Sequence, residues 1–148
     1  MTDKRPKSKR QPEIRYQTGN NLDLDEVVDL YRASTLGERR PIDDRERFSA
    51  MLKNANLVIT AWDGDLLVGI SRCMTDFNFF TYLADLVVRE SHQRRGIGKE
   101  LMRLTQKHSG PKTSILLLAA PAAETYYSHV GFEHAPQAWL LKPQERIR

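Results

Sequence analysis

Apolar positions along this 148-residue chain change their period several times, and each change marks an element. Ile14-Arg15-Tyr16 reads as a short strand. Leu24, Val27, Val28 and Tyr31 share one face of a helix that Asn20 or Asn21 can cap and that ends near Ala33. Pro41 and Asp43 open a second helix to about Lys53, with Phe48, Met51 and Leu52 inward. Leu57 to Trp62 has the β-branched character of a strand. Asp63-Gly64 is a hairpin signal, and Leu66 to Met74 returns antiparallel. An aromatic-rich loop, Asp76 to Phe80, leads to a strand from Tyr82 to Val88. Ile97, Leu101, Leu104 and Thr105 then form the buried stripe of a helix running to about His108. Ile115 to Ala119 is a near-continuous apolar run, as in a strand covered on both faces. Ala122 to His129 is a short helix stopped by Gly131. Phe132 to His134 and Ala138 to Leu141 read as two last strands.

The expected order is β-α-α-β-β-β-α-β-α-β-β. It describes an α/β (α+β) domain with a mixed, mostly antiparallel central sheet of about six or seven strands flanked by helices. The length suits one domain, at 13–148, preceded by a basic tail at 1–12. The charge supports this division. The net charge is +4, and residues 1–10 alone carry Lys4, Arg5, Lys7, Lys9 and Arg10 against Asp3. The body is therefore neutral, and the tail reads as disordered and solvated. No aromatic residue interleaves with these charges before Tyr16, which argues against nucleic acid as a partner.

Composition excludes further classes. The longest apolar run, Ile115 to Ala123, contains a proline and is too short to span a bilayer, so no membrane is expected. The N-terminus lacks the apolar region of a secretory signal. A single cysteine, Cys73, excludes an internal disulfide and suits a reducing compartment, so the expected location is cytoplasmic. Cys73 lies in a strand and reads as core rather than nucleophile. The histidines at 92, 108, 129 and 134 have no metal-ligand spacing with Cys73, so no metal is expected.

The segment Gln93-Arg94-Arg95-Gly96-Ile97-Gly98 carries the most chemistry. It joins a strand to a helix, and the first helical turn presents free N–H groups and a partial positive charge. Glycine at 96 and 98 lets an anion approach the backbone. Arg94 and Arg95 add attraction, and the turn suits a pyrophosphate. A dinucleotide fingerprint needs a third glycine. A phosphate-binding Walker loop needs Ser or Thr where Glu100 follows Gly98-Lys99.

Together with the element order, this segment resembles the GNAT superfamily of acyl-CoA-dependent N-acyltransferases. The family signature, Gln/Arg-x-x-Gly-x-Gly/Ala, is matched by Gln93 to Gly98. A second family feature, an aromatic-Tyr-x-x-x-Gly-Phe segment, reads here Tyr126-Tyr127-Ser128-His129-Val130-Gly131-Phe132. A third, an apolar strand before the signature, is Asp85-Leu86-Val87-Val88. The resemblance covers residues 14–142. It departs at Ala120, where many members carry an Asn that contacts the cofactor.

The resemblance implies a splayed strand pair forming an acyl-CoA cleft. Leu86, Val87 and Val88 would meet the pantetheine arm with backbone groups, and Gln93, Arg94, Arg95, Gly96, Ile97, Gly98 and Lys99 would hold the pyrophosphate. Acetyl-CoA is the implied co-substrate, and a backbone N–H near Val88 would stabilise the oxyanion. Tyr127 occupies the position of the general acid, and a phenol is protonated at neutral pH. Asp85 is the leading candidate for the base, ahead of Glu90, His92 and His129, with deprotonation through water as the alternative. The implied activity is acetyl transfer to a primary amine by direct attack. Alternatives are a non-catalytic acyl-CoA-binding or regulatory module and a protein or peptide N-acetyltransferase. A small-molecule amine is the expected acceptor, met by Tyr31 to Arg47 and by Thr75 to Tyr82, where Asp76 and the aromatics could hold an ammonium. The stretch from Thr75-Asp76 to Val88 also resembles plant-type arylalkylamine acetyltransferases. A homodimer is in keeping with similar proteins.

Overall fold

The structure, a computed structural model, describes residues 13–148, so the expected tail at 1–12 lies outside the described residues. The backbone divides into two compact units, one ending at Leu118 and one spanning Ala119–Arg148.

The first unit is a five-stranded sheet in the order β1-β2-β3-β4-β5. β1 is Arg15–Thr18, β2 Leu57–Asp63, β3 Leu66–Thr75, β4 Phe80–Val88 and β5 Ser114–Leu116. The first four strands pair antiparallel in sequence, and β5 adds parallel to β4. Three helices belong to this unit: α1 Leu24–Arg32, α2 Arg45–Lys53 and α3 Ile97–Ser109. Val27, Leu30 and Tyr31 of α1 and Phe48 and Leu52 of α2 pack on Val58, Leu67, Ile70 and Val87 of the sheet. The other face takes α3. A Cβ on Gly69 would lie 3.0 Å from Leu101 and 3.2 Å from Ile97, so glycine there permits the close approach of helix and strand. Ser71 and Thr105 satisfy one another across that interface at 2.7 Å.

Local chemistry sets the element boundaries. Asp23, not Asn20 or Asn21, caps α1, its carboxylate accepting from the N–H groups of Asp25 and Glu26. Asn20 instead donates to the carbonyl of Ala55 at 2.8 Å, just beyond the end of α2. A 3-10 turn, Thr35–Arg39, precedes α2, which starts later than expected because Asp44 is its cap. Gly64 takes φ +58° in the β2–β3 hairpin, as its sequence signal requires.

β4 has an irregularity that matters below. Arg72 faces Asp85 while its neighbour Cys73 faces Leu83, so Ala84 is an extra residue, a β-bulge. The pairing of β4 with β5 stops at Tyr82, opposite Leu116.

In the second unit, a 3-10 turn at Pro121–Ala123 leads into α4, Glu124–His129. The two last strands expected from the sequence are absent among the described residues, which leaves five strands rather than six or seven. Part of the reason is the end of α4. The N–H of Phe132 returns to the carbonyl of Tyr127 at 3.0 Å and that of Gly131 to Ser128 at 3.4 Å, a Schellman cap with Gly131 at φ +105°. Phe132 therefore spends its donor on the helix, and Pro136 has none to give a ladder.

Candidate functional site

β4 and the turn after it form one continuous feature of the first unit. From Leu83 to Val88, β4 runs without a ladder partner on its β5 side among the described residues. Side chains alternate along it. Val87 is buried in the α1–α2 core, while Leu86 and Val88 point to the α3 side, 4.0 and 3.7 Å from where a Cβ on Gly98 would stand. Backbone polar groups on that open edge need partners, and a ligand can supply them.

Beyond Val88 the chain is anchored at several points. The N–H of Arg89 reaches Val68 at 2.8 Å, and the N–H of Glu90 reaches Ala33 at the end of α1 at 2.9 Å. The Arg89 guanidinium binds the Leu67 carbonyl and Asp29. His92 is buried, its ring held between Asp63 of the β2–β3 hairpin at 2.8 Å and Ser91 at 2.7 Å. The Gln93 amide donates to the Val88 carbonyl at 3.1 Å and so braces the turn on the end of β4.

On this base the turn is strongly curved. Arg94 has φ +62° and Gly96 φ +79°, both left-handed, and a Cβ on Gly96 would meet open space. Among the described residues, no backbone acceptor and no side-chain cap engages the N–H groups of Arg94, Arg95, Gly96, Ile97, Gly98 or Lys99. Ile97 contributes only its backbone, because its side chain is in the core. Six consecutive donors at the positive end of a 13-residue helix, beside two arginines, suit a doubly charged pyrophosphate. The expected cradle residues Gln93 to Lys99 are thus brought together with Leu86 to Val88.

Asp85 has different surroundings from those expected of a base. Its side chain is fully buried. One oxygen accepts from Arg40 Nε at 2.6 Å, and the other accepts from Arg72 Nε at 2.6 Å and Tyr31 Oη at 2.7 Å. A carboxylate buried in this way, with both oxygens engaged by two guanidinium groups and a phenol, is not accessible to an amine. Burial first, and then the Asp85 charge, push the Tyr31 phenol well above the usual tyrosine range, so it stays a donor. The sequence signal for this cluster was slight. Tyr31 and Arg40 lie in the segment expected to meet the acceptor, and Arg72 sits inside an otherwise apolar strand with no motif around it.

Asp76, expected to attract an ammonium, accepts from the N–H groups of Phe79, Asn78 and Phe80. Those bonds, Phe79 foremost, hold its carboxyl below the usual range. It is a turn residue, and it displays Phe79 at 70% exposure. Cys73 is buried, and burial raises its thiol, as in a core position.

In the second unit, the end of α4 holds Tyr127. Its ring packs edge-on against Phe132 at 5.6 Å and Tyr126 at 5.5 Å. The Phe132 contact is the apolar clasp that accompanies a Schellman cap, which gives the Tyr-x-x-x-Gly-Phe spacing a physical reason. Burial, then Tyr126, raises the Tyr127 phenol. His129 is turned back onto the Thr125 carbonyl at 2.7 Å. Among the described residues, no group of three or more His, Cys, Asp or Glu is placed to hold a metal, and no helix is long and apolar enough to cross a membrane.

The chain is similar to known proteins in sequence and in fold. Residues 36–138 match the family described as the acetyltransferase (GNAT) domain. An uncharacterized N-acetyltransferase, ycf52-like, from Prochlorococcus marinus is 30% identical over 129 residues, 83% of this chain and 66% of that protein. The chain thus spans just under two thirds of that relative's length. A GNAT family acetyltransferase, SP0256 from Streptococcus pneumoniae, superposes with a TM-score of 0.70 at 24% identity, over 90% of this chain and all of that one. The aminoglycoside N-acetyltransferase AAC(6')-Iy, solved with CoA, gives a TM-score of 0.70 at 15% identity over 92% and 98% of the two chains. With more than half of its length matched to the family, and its fold shared with such structures, the chain belongs to the GNAT acetyltransferases.

Proposed function

We propose that this protein transfers an acetyl group from acetyl-CoA to a primary amine on a small molecule. The observation that carries this reading is the run of six N–H groups, Arg94 to Lys99, unengaged among the described residues and directly continuous with the open edge of β4. That arrangement fits a ligand with a pyrophosphate at one end and an amide-bearing arm at the other. The CoA bound to an aminoglycoside N-acetyltransferase of the same fold supports the cofactor and favours a small-molecule acceptor.

When bound, acetyl-CoA supplies an activated thioester. Arg94 and Arg95, with the N–H groups of Gly96 to Lys99, would hold and neutralise its phosphates. The backbone of Leu86 to Val88 would hold the arm, and an N–H of this edge would serve as the donor to the acyl carbonyl oxygen. Tyr127 would supply the proton that the departing sulfur needs, and its raised pKa keeps the phenol protonated at neutral pH. Asp85 is assigned to positioning rather than to proton removal, and the amine loses its proton to water.

The test is thiol release from acetyl-CoA in the presence of an amine panel, with product mass measured. Amine-dependent release with a product heavier by one acetyl group supports the reading. Tight CoA binding without turnover on any amine, small or peptidic, would make the protein a binding module.

A further inference from the structure

We propose that Arg40 is a positioning residue for the acyl-CoA site, holding the bulge from which the open edge of β4 begins. This rests on the reading of that edge as the pantetheine site. Three observations meet at one place. The β4–β5 ladder ends at Tyr82. The extra residue of the bulge, Ala84, follows two positions later. Arg40 then grips two consecutive residues of β4, its Nη2 donating to the Ala84 carbonyl at 3.1 Å and its Nε to Asp85 at 2.6 Å.

Charge shows why this arginine is more than a counter-ion. Arg72 already neutralises Asp85, and Tyr31 satisfies it further. Arg40 brings the cluster to one excess positive charge, so neutrality does not require it. What Arg40 adds is the bond to Ala84. The other grips come from β3, through Arg72, and from α1, through Tyr31. Arg72 is itself tied to α2 through the Met51 carbonyl at 3.2 Å. Gly37 lets the 3-10 turn that leads into Arg40 close on α1, because a Cβ there would lie 2.4 Å from the Tyr31 carbonyl oxygen. A bulge exposes an unpaired residue and can relax by a one-residue slip, which reverses every side chain beyond it. Leu86 to Val88 lie directly beyond it.

The experiment compares wild type with Arg40→Gln and Arg40→Lys. In both variants Asp85 keeps Arg72 and Tyr31, so folding is retained, and thermal melting checks this. Calorimetry measures affinity for CoA and for adenosine 3′,5′-bisphosphate, which lacks the arm. Hydrogen exchange compares the β4 peptide with one from β1–β2. Arg40→Gln is expected to weaken CoA about tenfold and to raise exchange in β4 alone by a similar factor, the equivalent of one charge-assisted hydrogen bond. Bisphosphate affinity should stay within about twofold, since the turn that holds phosphate is separate. Arg40→Lys, a single point donor, should recover only part of the loss. Full recovery by lysine would show that charge alone suffices and would overturn the bridging role. So would unchanged CoA affinity and β4 exchange, or equal weakening of both ligands. If wild type binds no CoA, the acyl-CoA reading fails, while β4 exchange still decides whether Arg40 holds the bulge.

Discussion

Replacing Asp85 by asparagine should cost stability far out of proportion to the change in shape. The carboxylate is fully buried and faces Arg72, whose side chain is 8% exposed, and Arg40, which is 24% exposed. Arg40 can turn to water, but Arg72 cannot, and it would keep a buried charge without an anion. Removing one partner of such a pair costs about 3–5 kcal/mol. The asparagine carbonyl still accepts one hydrogen bond, which places the loss near the lower end, about 3 kcal/mol. Total stability of a domain this size is on the order of 5–15 kcal/mol, so the variant should fold but with little margin. With a urea slope of about 1–3 kcal/mol per molar, the midpoint should fall by on the order of 1–3 M. Urea titration followed by circular dichroism measures this. The double variant Arg72→Met with Asp85→Leu removes both charges and should regain at least half of the loss. A loss for Asp85→Asn below about 1 kcal/mol, the value of an exposed pair, would refute the reasoning. So would a double variant no better than the single one.

Other perturbations have equally definite outcomes. Tyr31→Phe should lose about 1–2 kcal/mol at neutral pH, the value of a hydrogen bond to a charged acceptor, read from the urea midpoint. The phenol's raised pKa stabilises the fold fully below about pH 10, where the unfolded tyrosine ionises, and the benefit is lost as pH rises toward the higher folded value. Wild-type stability should thus decline above about pH 10, and Tyr31→Phe should decline less steeply. Gly37→Ala would drive a methyl group against the Tyr31 carbonyl and should destabilise by about 1–3 kcal/mol, seen as a melting temperature lower by several degrees. Tyr127→Phe should lower kcat about a hundredfold or more with little change in CoA affinity, and should flatten any alkaline decline in rate.

The middle of the fold was legible because its periods are strong. Val27, Val28 and Tyr31 at helical spacing, and the strands around Asp63-Gly64, carry their own instructions. The turn was legible for a similar reason. The backbone donors proposed to hold phosphate are consecutive, and the left-handed glycine at 96 is local to them. Asp85 was not legible, since its environment comes from Tyr31, Arg40 and Arg72, which stand 54, 45 and 13 residues away. From sequence it was only a carboxylate on the right strand. Asp76 shows the same ambiguity on a smaller scale, because an acid two residues ahead of Asn78 also closes a turn on its own backbone. The final strands were misread because Phe132 and Ala138 to Leu141 have strand-like side chains, whereas the helix cap at Gly131 governs the backbone donors nearby.

The central claim is that one unit of this protein holds acyl-CoA along β4 and on the turn after it. Its most direct test is an amide chemical-shift titration of labelled protein with acetyl-CoA. The account predicts saturable shifts at Leu86, Val88 and Arg94 to Lys99, with adenosine 3′,5′-bisphosphate reproducing those of the turn but not those of β4. Shifts confined to other residues, or none at all at saturating acetyl-CoA, would contradict it.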